Sequence, residues 1–139
     1  MKKDSFHKGL DKIREFTSTS NKDIPTHLKI LDDFQDIAPD LGNLIIEFAY
    51  GDIYSRPGLT NQQRTLITVS SLVTQGTEPQ LELHINAALT VGITPTEVVE
   101  TIIHLIPYTG FPRIINALTV AKKVFSQRHV HVSPSQHSQ

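Results

Sequence analysis

A histidine inside an apolar helical pattern is the first residue that could carry chemistry. His84 lies at helical spacing from Leu81 and Ala88, so the three side chains share one face. An imidazole titrates near neutral pH and burial tunes its pKa further, which suits a general acid or base. A core histidine satisfied by one hydrogen bond is the alternative interpretation, and it is the commoner arrangement.

A carboxylate and a second histidine stand four residues apart further along the chain. Glu100 and His104 are therefore neighbours on a helix surface. A carboxylate in this position orients the imidazole and favours its protonated form. The alternative is an exposed ion pair worth at most about 1 kcal/mol. Without a third ligand the pair is weak evidence for a metal site, and we expect no metal.

Two arginines could hold an anion. Arg64 falls one turn into a predicted helix, where the helix dipole is already positive, so a shared anion would explain the placement. Arg56, immediately before Pro57, has the same interpretation. For both residues the alternative is an ordinary solvated arginine.

Helix-start signals predict the elements that position these side chains. A hydroxyl followed three residues later by Gln or Glu is the capping-box pattern. It occurs in Thr60 with Gln63, Thr77 with Gln80, and Thr94 with Glu97. Gly76 and Gly92 are predicted to end helices in a left-handed conformation. The predicted helices run near 61–75, 78–91 and 95–106.

Apolar spacing predicts further helices on both sides of these three. One runs from Lys3 to about Ser18, a second starts at Pro25, a third runs from Asp40 to Gly51, and the last runs from about Pro112 to Gln127. A loop from Asp52 to Gly58 follows the third helix. No alternating strand pattern is present in the sequence, so the predicted fold class is all-α.

The predicted domain organisation is one domain over 1–128 and a disordered tail over 129–139. The tail contains Ser133-Pro134-Ser135 and three histidines, His129, His131 and His137, which would bind metal adventitiously at most. A chain of 139 residues is long enough to bury one core.

Composition excludes several function classes. A net charge of -1 provides no basic field, so we expect no nucleic-acid partner. No apolar run in the sequence approaches the roughly 20 residues of a spanning helix, and no apolar signal core follows the N-terminus, so we expect a cytoplasmic protein with no membrane partner. The chain has no cysteine, which excludes thiol nucleophiles, disulfides and dithiol redox chemistry by the chain itself.

Several linked motifs together resemble one known family. The run 51–59, Gly-Asp-Ile-Tyr-Ser-Arg-Pro-Gly-Leu, resembles the signature of the carboxymuconolactone decarboxylase family. The resemblance covers roughly residues 40 to 125. Its further matches are Arg64, 66–69, 81–84, 87–88, 92–94, Glu97, Glu100, His104 and 108–112.

The resemblance implies a fold, an assembly and a reaction. The fold is an alkylhydroperoxidase-D-like bundle of about six to seven helices, assembled as a homo-oligomer, a trimer or a homohexamer. One branch of this fold reduces peroxides through a Cys-x-x-Cys pair, which this chain lacks. The other branch decarboxylates 4-carboxymuconolactone in aromatic catabolism without a cofactor, and this reaction is the expected one.

The same resemblance implies roles for individual residues. Loss of CO2 leaves an enolate-like anion, which must be stabilised by preorganised donors and then protonated on carbon. His84 is the expected proton donor, and Arg64 and Arg56 are expected to hold carboxylate or enolate oxygens. The remaining candidates are the Glu100–His104 pair as support, and Tyr54 and Tyr108 as pocket-lining residues or hydrogen-bond donors.

Departures from the family pattern keep other functions open. Tyr54 stands where the family often has Trp, and Pro107 and Arg113 replace smaller residues. The alternatives are another small carboxylate or lactone substrate, and a non-catalytic anion-binding oligomer. Four polar groups at a buried apolar face favour a working pocket, because each unsatisfied group would cost about 1–3 kcal/mol. Those four residues are Arg64, His84, Glu100 and His104.

Overall fold

The described part of the chain is entirely helical. The computed structural model describes residues 2–17 and 27–134. No strand occurs among these residues, so the predicted all-α class is confirmed. The elements are α1 (Lys2–Glu15), α2 (His27–Asp33), α3 (Leu41–Leu44), a π-helix (Ile45–Tyr54), α4 (Asn61–Gln75), α5 (Glu78–Thr90), α6 (Pro95–His104), α7 (Ile106–Thr109) and α8 (Phe111–Arg128).

Helices α4, α5, α6 and α8 enclose the larger of two hydrophobic clusters. Their apolar residues recur at helical spacing, which brings them onto one inward face of each helix. Its fully buried side chains include Val69, Val73, Leu81, Ile85, Val98, Ile102, Ile114 and Val124. The smaller cluster lies where α1 packs on the π-helix, and its buried members are Ile13, Phe16, Ile46, Tyr50 and Ala87.

Two of the three predicted capping boxes are confirmed. Thr60 with Gln63 and Thr94 with Glu97 each make both reciprocal hydrogen bonds, at 2.9 to 3.1 Å. The third prediction is wrong, because the Thr77 hydroxyl donates back to the Leu72 carbonyl oxygen at 3.4 Å and caps no amide of α5. The short connection between α4 and α5 turns this hydroxyl toward the end of α4.

The predicted helix ends are partly confirmed. Gly76 and Gly92 have φ of 74° and 99°, as predicted for residues that end helices. Helix α6 ends at His104 instead of residue 106, because Pro107 in the first turn of α7 cannot continue the α6 hydrogen-bond ladder. The predicted start of the second helix, Pro25, lies outside the described residues.

The predicted end of the third helix at Gly51 is wrong. The chain continues as a π-helix to Tyr54, and Gly51 is buried inside it. A Cβ at Gly51 would collide with the Ser5 carbonyl oxygen, and one at Gly9 with the Ile46 carbonyl oxygen. These glycines therefore allow two helix backbones to cross in close contact. The loop that was predicted from Asp52 begins only after Tyr54.

The described beginning of the predicted tail lies against the domain. The Val130 amide donates to the Phe125 carbonyl oxygen at 3.1 Å, and the Ser133 amide donates to Thr96 Oγ1 at 3.1 Å. Residues 135–139, with His137, lie outside the described part of the chain. None of the described helices is both long enough and apolar enough to cross a membrane.

Candidate active site

A cavity of about 220 Å³ lies between the π-helix, α4, α5 and the first residue of α2. Apolar side chains such as Leu83 form part of its wall, and none of the residues that line it is a carboxylate. Imidazole, phenol, hydroxyl and amide groups are thus brought together around one half-open cavity. Its polar lining residues are His27, Tyr50, Tyr54, Thr68, Gln80 and His84.

The π-helix supplies two stacked tyrosines to the cavity. The Tyr50 and Tyr54 rings lie with centroids 4.4 Å apart and planes 22° apart. Phe16, immediately after α1, packs its ring against both of them, with centroids at 6.1 and 5.4 Å. π-Helical segments are rare and often occur at functional sites. Here the segment holds both phenol rings on the same wall.

Two imidazoles, the buried His27 and the half-buried His84, contact each other in the cavity. The ring centroids of His27 and His84 are 5.1 Å apart, with planes at 82°. Burial lowers the pKa of His84 to about 4. Burial, and to a lesser degree the charge of His84, lowers the pKa of His27 to about 3. Both rings are therefore neutral at neutral pH in the free protein.

The hydroxyl groups on the opposite wall form a directed chain. Tyr54 Oη and Thr68 Oγ1 are 2.7 Å apart, and the Thr68 hydroxyl donates to the Arg64 carbonyl oxygen at 3.0 Å. Because the single Thr68 proton is used in that second bond, Tyr54 donates to Thr68. Burial raises the pKa of both Tyr50 and Tyr54. Both phenols therefore remain protonated hydrogen-bond donors at neutral pH.

Arg64 lies behind Tyr54 and is fixed by the loop before α4. Its Nη2 donates to the Arg56 carbonyl oxygen at 2.8 Å, while its buried Nε has no hydrogen-bond partner. The guanidinium charge partly opposes the effect of burial on the pKa of Tyr54. Arg56 thus contributes a backbone carbonyl to this region, and its side chain is exposed.

The other predicted site residues lie in a separate open groove of about 420 Å³. Glu100 and His104 line it together with Leu66 and Ser70 of α4. The Tyr108 ring lies beside His104, with centroids 5.9 Å apart. Within the described residues no ion pair joins Glu100 to His104. The structure therefore divides the predicted site residues between two places.

The expectation that all four polar groups occupy a buried apolar face is wrong for the α6 pair. Val98 and Ile102 bury one face of α6, and Glu100 and His104 each follow two residues later, about 200° around the helix. Both side chains are consequently exposed.

Sequence reasoning missed four of the polar residues that line the cavity. Tyr50 stands four residues before Tyr54, and that aromatic spacing was a usable signal. Gln80 was assigned to a capping box and instead lines the cavity. The sequence around His27 and Thr68 contains no pattern that would mark them as site residues. Among residues 2–17 and 27–134, no group of three or more His, Asp or Glu side chains could hold a metal ion.

Comparison with known proteins identifies the family. The model of the Carboxymuconolactone decarboxylase family matches residues 39–123. The chain belongs to this family. The resemblance seen in the 51–59 run is thereby confirmed. The matched region contains His84 and both cavity tyrosines, whereas His27 precedes it.

Three similar proteins each align with about two thirds of this chain. A 4-carboxymuconolactone decarboxylase of Acinetobacter baylyi is 37% identical over 95 residues, which are 68% of this chain and 71% of that protein. Nitrosuccinic acid decarboxylase npaB of Metarhizium robertsii is 36% identical over 83 residues, 60% of this chain and 58% of that protein. An uncharacterized 15.0 kDa protein of Paracoccus denitrificans is 31% identical over 93 residues, 66% of this chain and 69% of that protein.

Proposed function

We propose that the protein is a cofactor-independent decarboxylase of the 4-carboxymuconolactone decarboxylase type that uses this cavity as its active site. The observation that carries the proposal is a half-buried His84, neutral in the free protein, that lines a cavity with no carboxylate among its lining residues. An anionic substrate meets no like charge there. Two relatives with 36 and 37% identity are named as decarboxylases, which supports the same reaction class.

The reaction requires a proton on carbon after CO2 leaves. The bond between the carboxylate and the ring carbon breaks, its electron pair remains on that carbon, and the anion delocalises toward the lactone carbonyl. His84 in its protonated form then gives one proton to carbon and recovers a proton from solvent. In the free protein burial keeps the pKa of His84 at about 4, and a bound carboxylate favours the protonated imidazole.

The opposite wall supplies hydrogen-bond donors for the developing oxyanion. The Tyr50 phenol is protonated and is the proposed donor, and its ring is held by stacking on Tyr54, whose own proton is donated to Thr68. Donors that are already oriented stabilise charge without reorganisation during the reaction. Arg64 adds positive charge near Tyr54, although its side chain is not among those that line the cavity.

A homo-oligomer, a trimer or hexamer, is part of this proposal. Large apolar side chains remain exposed on α4, α7 and α8, among them Ile67, Tyr108 and Phe111. Such surface is usually covered by subunit contacts. Contacts there would also enclose the groove that holds Glu100 and His104, the proposed supporting pair. Sedimentation that shows only a 15.5 kDa species at micromolar concentration would contradict the assembly.

A second substrate is favoured by one specific observation. The relative that is 36% identical is named for nitrosuccinic acid, which is a different acid from the lactone. Tyr54, in place of the usual family Trp, changes the wall that faces His84. Another small carboxylate is therefore the alternative substrate for the same cavity and the same acid.

The test is turnover of 4-carboxymuconolactone and of nitrosuccinate, followed by loss of substrate and release of CO2. Wild-type protein should turn over one of them, and His84→Ala should lose about 10²- to 10⁴-fold in rate. His131→Asn changes an exposed histidine in the C-terminal segment and serves as the matched control. A folded wild type that releases CO2 from neither acid, or a fully active His84→Ala variant, would overturn the proposal.

A further inference from the structure

His27 combines deep burial with an unused polar atom. Its side chain is 5% exposed, and its Nε2 has no hydrogen-bond partner. Buried polar atoms are almost always paired, so an orphaned one calls for an explanation. His27 also lines the cavity. Nε2 itself touches no open space in the free protein, so a ligand in the cavity supplies the missing partner after a small adjustment of the ring.

The His27 ring is held in place by two neighbours. Its centroid lies 5.1 Å from Tyr50 and 5.1 Å from His84, with interplanar angles of 82° in both cases. Edge-to-face contacts of this kind favour one ring orientation. The unpaired Nε2 therefore belongs to a ring with one favoured orientation, as expected of a residue that binds a ligand.

We propose that His27 is a further substrate-binding residue, whose Nε2–H donates a hydrogen bond to a carboxylate oxygen of the ligand beside His84. The proposal rests on the proposed function, because it takes this cavity as the substrate site. The required tautomer carries its proton on Nε2, which is one of the two available to a neutral imidazole. His27 lies outside the region matched by the family, so this contact is a feature of this chain's own N-terminal segment.

The reaction chemistry decides which carboxylate His27 binds. A donor on the departing carboxylate would stabilise the starting state and slow CO2 loss, whereas a donor on a retained carboxylate binds the substrate and the transition state equally. The substrate is therefore an acid with two carboxylates, one retained at His27 and one lost near His84. A volume of about 220 Å³ lies below the roughly 300–1,000 Å³ of drug-sized pockets, which suits a compact dicarboxylate.

This assignment predicts a specific division between KM and kcat. His27→Phe keeps a flat aromatic side chain, somewhat larger than imidazole, but removes the donor, so KM for 4-carboxymuconolactone should rise about 10- to 100-fold with kcat within about threefold. His27→Gln places an amide nitrogen near the position of Nε2 and should recover most of the loss. The exposed His131→Asn variant is the matched control and should leave KM unchanged.

A binding measurement separates this proposal from the reaction itself. Calorimetry with succinate as a non-reacting dicarboxylate should show weaker binding to His27→Phe by the same factor. In wild-type protein labelled with ¹⁵N in its imidazoles, succinate should shift the His27 Nε2 resonance, a readout that needs the variants only for assignment.

The outcomes distinguish the two proposals. Succinate binding that depends on His27, without turnover of either acid, would retain the binding residue and reject the decarboxylase. Turnover with equal KM in wild type and His27→Phe would reject the binding residue and retain the decarboxylase. Absence of both binding and turnover in folded wild type would reject both.

Discussion

His84 and His104 are the same residue type in opposite settings. His84 lines a cavity with a second imidazole and two phenols, and burial lowers its pKa to about 4. His104 is exposed in an open groove beside Glu100. A ligand in the cavity would contact both imidazoles and the phenol rings, whereas a ligand in the groove would remain largely in contact with bulk water. The comparison supports the proposal that the cavity is the active site.

Helix α4 separates the two regions and contributes to both. Thr68 faces the cavity, while Leu66 and Ser70, two residues before and after it, face the groove. A spacing of two residues corresponds to about 200° around an α-helix. Substitutions on the two faces of α4 therefore test the cavity and the groove separately within one helix.

The largest expected difference between the cavity and the groove is in how their residues make the free energy of unfolding depend on pH. His27 and His84 have folded pKa values of about 3 and about 4, below the 6.5 of an unfolded histidine. Their contribution to stability is fully present above pH 6.5 and is lost as the pH falls toward 4. In this range the unfolded chain binds protons that the folded protein does not bind. The free energy of unfolding therefore falls by about 1.4 kcal/mol per pH unit for each histidine.

Urea denaturation between pH 7.5 and 4.5 measures this loss. The groups that face the two imidazoles are the Tyr50 and Tyr54 phenols, which are uncharged in this range, and Arg64 is the cation behind Tyr54. His27→Phe should reduce the slope of unfolding free energy by about 1.4 kcal/mol per pH unit, and Ser70→Ala in the groove should leave it as in wild type. Equal slopes in wild type and His27→Phe would contradict a buried neutral His27.

The next largest effect concerns the backbone crossing that positions Tyr50. Gly51→Ala places a methyl group against the Ser5 carbonyl oxygen, and backbone on both sides must move. We expect unfolding free energy to fall by about 1–3 kcal/mol, as for other overpacked sites. Circular dichroism during urea denaturation gives the value.

Gly58→Ala is the matched control for the crossing. A Cβ there meets no atom within 4 Å, and the residue is exposed. Its effect should stay within about 0.5 kcal/mol. A Gly51→Ala variant as stable as Gly58→Ala would show that α1 and the π-helix are not in the described close contact.

These contrasts also show what the sequence could and could not predict. The capping boxes at Thr60 and Thr94 depend on residues three apart, and both were predictable. Thr77 has the same local pattern, but the short connection to α4 gave its hydroxyl a different partner. Gly51 matched a helix end in sequence, and only the approach of α1 reveals its use at a crossing.

The site was predictable to a smaller extent than the fold. His84 was found because its helix carries a recognisable apolar pattern, and Tyr54 because it lies in the 51–59 run that resembles the family signature; both line the cavity. His27 could not be found, since its role depends on α2 approaching residues more than fifty positions away. The exposure of Glu100 and His104 follows from which face of α6 is buried, and that depends on the packing of Val98 and Ile102.

The smallest expected effect distinguishes the two faces of α4 directly. Thr68→Val keeps the side-chain shape and removes the oxygen that accepts the Tyr54 hydroxyl proton. Without this bond the Tyr54 ring, on which the Tyr50 ring stacks, is held less firmly, so kcat/KM should fall about 5- to 10-fold, the equivalent of one hydrogen bond of roughly 1 kcal/mol. Ser70→Ala removes a comparable hydroxyl, bonded to the Leu66 carbonyl oxygen at 2.8 Å, on the groove side, and should change kcat/KM less than about twofold. Steady-state kinetics of the two variants at one pH decides between the regions, because a larger loss in Ser70→Ala would move the chemistry from the cavity to the groove.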